Sequence, residues 1–129
     1  MSKIQRFEDL EAWKISREVT KEVYRVSANE KFVRDFGLRD QICRASVSIM
    51  SNVAEGFERD GDKEFIQFLY IAKASCGEVR SQLYVALDQN YISEGDFDLI
   101  YAKLIENSQI ISGLIKYLKQ SDLTGKKYK

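Results

Sequence analysis

FIQFLYIAKASCGEVRSQLYVA, residues 65–86, sets apolar or small side chains at Phe65, Leu69, Ala72, Cys76, Val79, Leu83 and Ala86. The gaps alternate between four and three from end to end, a heptad that only a helix with one buried seam uses. At ~1.5 Å per residue it predicts a helix over about 62–88, roughly 35–40 Å long. Beside the seam lie Ile66, Phe68, Tyr70, Ile71, Tyr84, Val85 and Leu87, so few positions are left for solvent. Gly77 in mid-helix costs about 1 kcal/mol against alanine, which predicts the close approach of another backbone.

Toward the N-terminus, Gly56 and Gly61 bracket a tight turn, with Asp60 or Asp62 placed to cap the helix that follows. Before it, residues 38–58 carry two apolar stripes. One is Leu38, Ile42, Ala45, Ile49, Asn52 and Gly56; the other is Cys43, Val47, Met50, Ala54 and Phe57. Two stripes mean more apolar area than one bundle face needs, either a wider core contact or a subunit interface. A lone Asn52 among them fixes register or caps a neighbouring backbone group in preference to any catalytic task. The first segment, about 8–28, has the stripe Ala12, Ile15, Val19, Val23 and Val26, flanked by Trp13 and Tyr24, with Lys14 and Glu18 able to pair on its outer face.

Toward the C-terminus, Asn90 suits a left-handed turn residue, and Ser93-Glu94-Gly95-Asp96 has the form of a helix start. The last segment, about 94–119, carries Phe97, Tyr101, Leu104, Ser108, Ile111, Ile115 and Leu118 as its heptad. Four amphipathic segments with short connections predict an all-α fold, an antiparallel up-and-down four-helix bundle over 1–120. Residues 121–129 read as a basic flexible tail: from Lys116 onward five lysines face only Asp122, net +4.

Composition narrows the function classes. The chain of 129 residues has no proline, which fits long helices and short loops, and no histidine. Without histidine there is no Ser-His-Asp triad, Cys-His dyad or histidine-built zinc site, so no catalytic, cofactor or metal set is assigned. Cys43 and Cys76 lack any CxxC pattern and read as small buried hydrophobes. No signal-peptide core or membrane-length apolar run is present, and a cytoplasmic protein is expected.

The candidate contacts for nucleic acid are Arg44, Arg59, Lys63, Lys73 and Arg80, which a ring of copies would repeat into a positive groove or lumen. The competing reading pairs Arg44 and Arg80 with carboxylates such as Glu55 and Glu78, inside or between bundles. Tyr24, Phe57, Phe65, Phe68, Tyr70 and Tyr84 could stack on bases, but their helical spacing favours core packing.

FEDLEAWKISREV (7–19), QICRASVSI (41–49), SNVAEGF (51–57) followed by Arg59, and EFIQFLYIAKAS (64–75) leading to Glu78 together resemble the bacterial four-helix-bundle proteins encoded by intervening sequences in 23S ribosomal RNA genes. The accessory protein of diversity-generating retroelements resembles the same family. Trp13 fits the family's LxxW start, and Asn52, Glu55, Gly56 and Glu78 match its motif. The resemblance implies a ring-like homopentamer and a partner that is RNA, DNA or a protein that handles nucleic acid. Two positions depart from it. Met50 stands where relatives often have proline, and Glu58, where they have a small residue, weakens any phosphate contact at Arg59. The expectation is a non-enzymatic, homo-oligomeric scaffold associated with nucleic acid. The alternative is a protein–protein adaptor without nucleic-acid affinity.

Overall fold

Each of the four segments is an α-helix: α1 is Glu11–Ser27, α2 Phe36–Phe57, α3 Asp62–Asp88 and α4 Glu94–Gly125. One-turn 3-10 helices at Phe7–Asp9 and Phe32–Arg34 precede α1 and α2. The computed structural model describes residues 4–125, with side chains as far as Gln120.

Long-range hydrogen bonds and ring contacts give the register of every helix pair. Between α1 and α4, Ser16 meets Asn107, Glu18 meets Lys103 and Arg25 meets Asp96, so one number rises as the other falls. Between α2 and α3, Phe57 lies against Phe65, Ser48 against Ser75 and Gln41 against Gln82. Thr20 and Ser27 of α1 reach Ser46 and Cys43 of α2. Tyr70 and Tyr84 of α3 reach Lys119 and Tyr101 of α4. All four pairs are antiparallel. Each helix packs against its sequence neighbour and α4 closes on α1, the up-and-down bundle that short connections dictate.

Local chemistry sets the helix ends. Asp35 Oδ1 accepts from Leu38 N at 3.1 Å and caps α2, and Ser93 Oγ accepts from Asp96 N at 3.0 Å at the start of α4. Both use a short polar side chain to satisfy an otherwise orphaned helix N–H. At the end of α3, Asn90 takes φ 61° while Tyr91 N donates to Ala86 O and Asn90 N to Leu87 O. This is a left-handed cap with its two closing hydrogen bonds. Tyr91 then stacks on Phe32 and donates from its hydroxyl to Asp35 Oδ2 at 2.9 Å, tying the two loops at this end of the bundle together. The carboxylate at that bond pushes the Tyr91 phenol pKa upward.

The α3 seam is buried throughout, as is the α1 stripe. Elsewhere the structure corrects the sequence reading. In α4 the buried set includes Ile100 and Asn107 in place of Tyr101 and Ser108, a one-residue rotation of the stripe. The second stripe of α2 reaches the core only at Cys43; Val47 is exposed and Met50, Ala54 and Phe57 are half-buried. Neither Asp60 nor Asp62 caps α3; its first residue follows Gly61, whose φ of 99° is a turn conformation natural to glycine. Glu18 pairs with Lys103 across the bundle, and Lys14 pairs with Glu11. The first and second helices begin at Glu11 and Phe36, beside the expected 8 and 38. The fourth runs on to Gly125 past the expected 119, into the stretch read as a flexible tail. Residues 126–129 of that expected tail lie outside the described residues.

Gly77 is a further correction. A Cβ built there meets nothing within 4 Å, so no backbone approaches it. The close approach occurs instead at Gly56, where a Cβ would lie 2.7 Å from Phe68 Cβ and 2.9 Å from Phe65 Cδ1.

Candidate nucleic-acid interface

The α2–α3 seam gathers most of the motif residues. Gly56 lets the start of α3 pack onto the last turn of α2, and Phe57 meets Phe65 edge-on at 5.9 Å. Four residues before Gly56, half-buried Asn52 donates from Nδ2 to the Ser48 carbonyl at 2.8 Å and lies 3.0 Å from Ser48 Oγ. Ser75 of α3 donates to that same Ser48 hydroxyl at 3.0 Å. Asn52 thus holds a backbone carbonyl of its own helix and joins a polar bridge between helices. Glu78 accepts from Gln82 Nε2 at 3.2 Å, and the same nitrogen is 3.4 Å from Gln41 Oε1. Outward on this face, Ile71, Glu78 and Val85 recur every seven residues. Ile71 is 49% exposed and Val85 44% exposed.

The five candidate cations separate into two groups. Arg44 forms an ion pair with Asp40 at 3.0 Å, one turn back on α2. Arg59 pairs with Glu55 at 3.2 Å, comes within 3.9 Å of Glu64 and covers the Phe68 ring at 5.0 Å. Both are neutralised locally, and neither meets Glu78. Lys63, Lys73 and Arg80, all on α3, have no carboxylate partner among the described residues. Arg80 instead lies over the Tyr101 ring at 5.9 Å, and its buried Nε finds no hydrogen-bond partner among the described residues. Within one chain Arg80 and Glu78 therefore do not form the ion pair that the sequence allowed inside a bundle.

Trp13 is half-buried at the N-terminal end of α1, edge-on to Phe7 at 5.3 Å with Arg17 5.8 Å from its ring. It borders a surface depression of about 630 Å³ shared with Arg6, Glu8, Lys14, Glu18 and Lys21, a lining of mixed charge. Cys43 and Cys76 are free and buried. Burial pushes the Cys76 thiol up to about 12, against a small pull downward from the Arg80 charge. Among the described residues no cluster of cysteines and carboxylates is arranged to hold a metal ion. No described helix is long and apolar enough to cross a membrane.

Sequence reasoning missed two features. The first is Asn107, fully buried on α4, whose Oδ1 accepts from Ser16 Oγ at 3.2 Å while its Nδ2 has no partner among the described residues. It was hidden because Ser108, next to it, fits the heptad equally well. The second is a cleft between α3 and α4 of about 280 Å³ where Tyr70, Lys73, Ser112, Lys116 and Lys119 meet. Its lysines belong to segments 43 residues apart in sequence (73 and 116), and only the antiparallel register joins them.

Comparison with known proteins follows the same lines. The family model described as 23S rRNA-intervening sequence protein matches residues 8–113. Among solved structures, a protein of unknown function from the S23 ribosomal protein family of Bacteroides thetaiotaomicron is 24% identical, with a TM-score of 0.75. The alignment covers 81% of this chain and 98% of that one, and at such identity it speaks for the fold alone. No curated protein matches the chain.

Proposed function

The chain belongs to the 23S rRNA-intervening sequence protein family, and from that premise we propose that it is a non-enzymatic, homo-oligomeric scaffold of the cytoplasm that associates with nucleic acid. The observation that carries the reading is the set of uncommitted cations on α3. Among the described residues Lys63, Lys73 and Arg80 lack carboxylate partners, on a chain with 20 basic and 20 acidic residues. A neutral chain has enough carboxylates to pair its cations. Leaving several unpaired on one helix suits a phosphate backbone, whose binding is driven by release of condensed counterions. Among the apolar side chains that the core leaves out, Ile71 and Val85 on α3 and Val47 on α2 support self-association along these two helices, with a homopentamer as the expected ring.

Light scattering and RNA or DNA binding at ~50 mM salt test the two halves. A species near five times 14.9 kDa that binds and releases as salt rises is the expected result. A monomer removes the ring, and absence of binding removes the nucleic-acid role.

A second reading, a protein–protein adaptor without nucleic-acid affinity, is favoured by one specific observation. Arg44 and Arg59, the two candidate cations of α2 and the turn after it, are already neutralised by Asp40 and Glu55. Under that reading, replacing Lys63, Lys73 and Arg80 together changes assembly or nothing, and no salt-sensitive binding exists to be abolished.

A further inference from the structure

We infer that the groove between α3 and α4 is a binding track for a single strand of nucleic acid. This rests on the nucleic-acid role proposed above and gives it a location and a class of ligand. On α3, Tyr70, Lys73, Gly77, Arg80 and Tyr84 recur at gaps of three and four along one helical stripe. On α4 the facing stripe is Tyr101, Ile105, Ser108, Ser112, Lys116 and Lys119. Neither stripe contains an acidic residue, although the chain has 20.

Contacts at both ends place the two stripes against each other. At one end Lys119 donates from Nζ to the Tyr70 hydroxyl at 2.7 Å and sits 5.3 Å from the ring centre. Lys73, Lys116 and Ser112 line the same cleft. At the other end Arg80 lies over Tyr101, and Tyr84 meets Tyr101 edge-on at 5.7 Å. Between the ends the α3 stripe passes through Gly77, where a Cβ would meet nothing within 4 Å. From Tyr70 to Tyr84 the track is roughly 20 Å long by helical rise.

The composition decides among ligands. Phosphates alone would be served by lysines. Tyrosines standing among cations add flat faces for bases, and bases offer their faces only when unpaired. Tyr70 is 46% exposed and Tyr84 48% exposed, so ring surface is open at both ends. Arg80, whose guanidinium lies over the Tyr101 ring, adds a cation to the same stripe. Arg44 and Arg59, held by carboxylates on another face, take no part in this track.

The test is fluorescence anisotropy of the full chain with labelled oligouridylate and oligodeoxythymidylate, each of about twelve nucleotides, over a range of salt. Lys73→Gln, Lys116→Gln and Lys119→Gln combined should weaken binding at least tenfold at ~50 mM salt and flatten the salt slope by about 2, near 0.7 for each phosphate no longer neutralised. Tyr70→Ala should weaken it severalfold and leave the slope unchanged, because stacking releases no counterions. Arg44→Gln with Arg59→Gln should stay within about twofold of the parent. Thermal melts confirm that each variant, altered only at the surface, retains the fold. The groove is overturned, with the nucleic-acid role intact, if the parent binds and the lysine variant binds as well, or if the arginine variant is weakened as much. A duplex of equal length that competes as well as the single strands also overturns it. If the parent binds neither oligomer nor duplex, the proposed role falls and takes the groove with it.

Discussion

Gly56 of α2 and Phe68 of α3 approach so closely that a Cβ on the glycine would lie 2.7 Å from the Cβ of the phenylalanine. Phe65 closes the other side, its ring at 2.9 Å and its backbone carbonyl at 3.3 Å. Two of the three neighbours are a Cβ and a carbonyl, which cannot rotate away, so the helices themselves would have to part. Gly56→Ala is therefore expected to destabilise by about 1–3 kcal/mol, the usual cost of overpacking a filled site. Gly77→Ala is expected to do the opposite. With open space around it, the added methyl brings only the helix propensity of alanine, a gain of up to about 1 kcal/mol. Urea unfolding of both variants checks the pair; equal midpoints would contradict the packing described at Gly56.

Those two glycines also show where a sequence stops being readable. Both break a helical pattern, and a pattern cannot say which one touches another backbone. The α3 and α1 seams were legible because their buried positions are apolar or small and no rival stripe competes. In α4, Tyr101 with Ser108 and Ile100 with Asn107 offer the same spacing one residue apart. Tyrosine can lie half in and half out of a core, so the polar member, serine or asparagine, had to decide. Packing against Ser16 chose asparagine. The ion pairs Asp40–Arg44 and Glu55–Arg59 follow from i, i+4 spacing and were readable in principle. The grouping of Lys73 with Lys116 was not, since it depends on where α4 slides along α3.

Asn107 supplies the next prediction. Its side chain is fully buried, with one hydrogen bond from Ser16 and an amide nitrogen that has no partner among the described residues. Ser16 Oγ also lies 2.6 Å from the Ala12 carbonyl, so it keeps an acceptor when the asparagine is gone. An unpaired buried donor costs about 1–3 kcal/mol, and removing it together with its polar partner atom recovers part of that. Asn107→Leu should raise the unfolding free energy by about 1 kcal/mol after the cost of fitting a slightly larger side chain, read as a higher urea midpoint. A polar residue in a core seam also fixes register, so the same variant should broaden the amide spectrum or add an alternative oligomer. A variant less stable than the parent would show that Nδ2 is satisfied in solution.

Cys76 couples stability to alkaline pH. Burial keeps its thiol protonated up to about 12 in the fold, whereas an unfolded thiol ionises near 9.0. The unfolded chain therefore releases a proton first, and its thiolate draws the equilibrium toward unfolding. The stabilising contribution is complete below pH 9.0 and is lost as pH rises toward 12. The loss is at most about 1.4 kcal/mol per pH unit for one proton. Tyr84 and Tyr91, whose phenols are also pushed upward, act in the same direction in parent and variant alike. Cys76→Ala should be less stable than the parent at pH 8, because it leaves a cavity, and the difference should narrow at pH 10 and above. Parallel pH curves for the two proteins would exclude the thiol as the cause.

The last prediction concerns the face of α3 opposite the lysine groove. Ile71 and Val85 stand 49% and 44% exposed on a heptad with Glu78 between them. The core gains nothing from them, since Leu69, Ala72, Val79 and Leu83 already fill the seam. If copies of the chain assemble along α2 and α3, these two side chains are buried in the process. Each would contribute about 1–2 kcal/mol at the usual value for apolar area removed from water. Ile71→Glu with Val85→Glu places two more carboxylates beside Glu78 and its equivalents in neighbouring copies, where apolar contact is exchanged for like-charge repulsion. The expected result is a folded species of 14.9 kDa by light scattering, with helical content equal to the parent. Dissociation should grow with falling salt, because screening of the added charges weakens over a Debye length of about 10 Å at 0.1 M and longer below it. An assembly unchanged in mass would place the contact elsewhere, and Val47 on α2 or Leu99 and Ile105 on α4 would be the side chains to alter next.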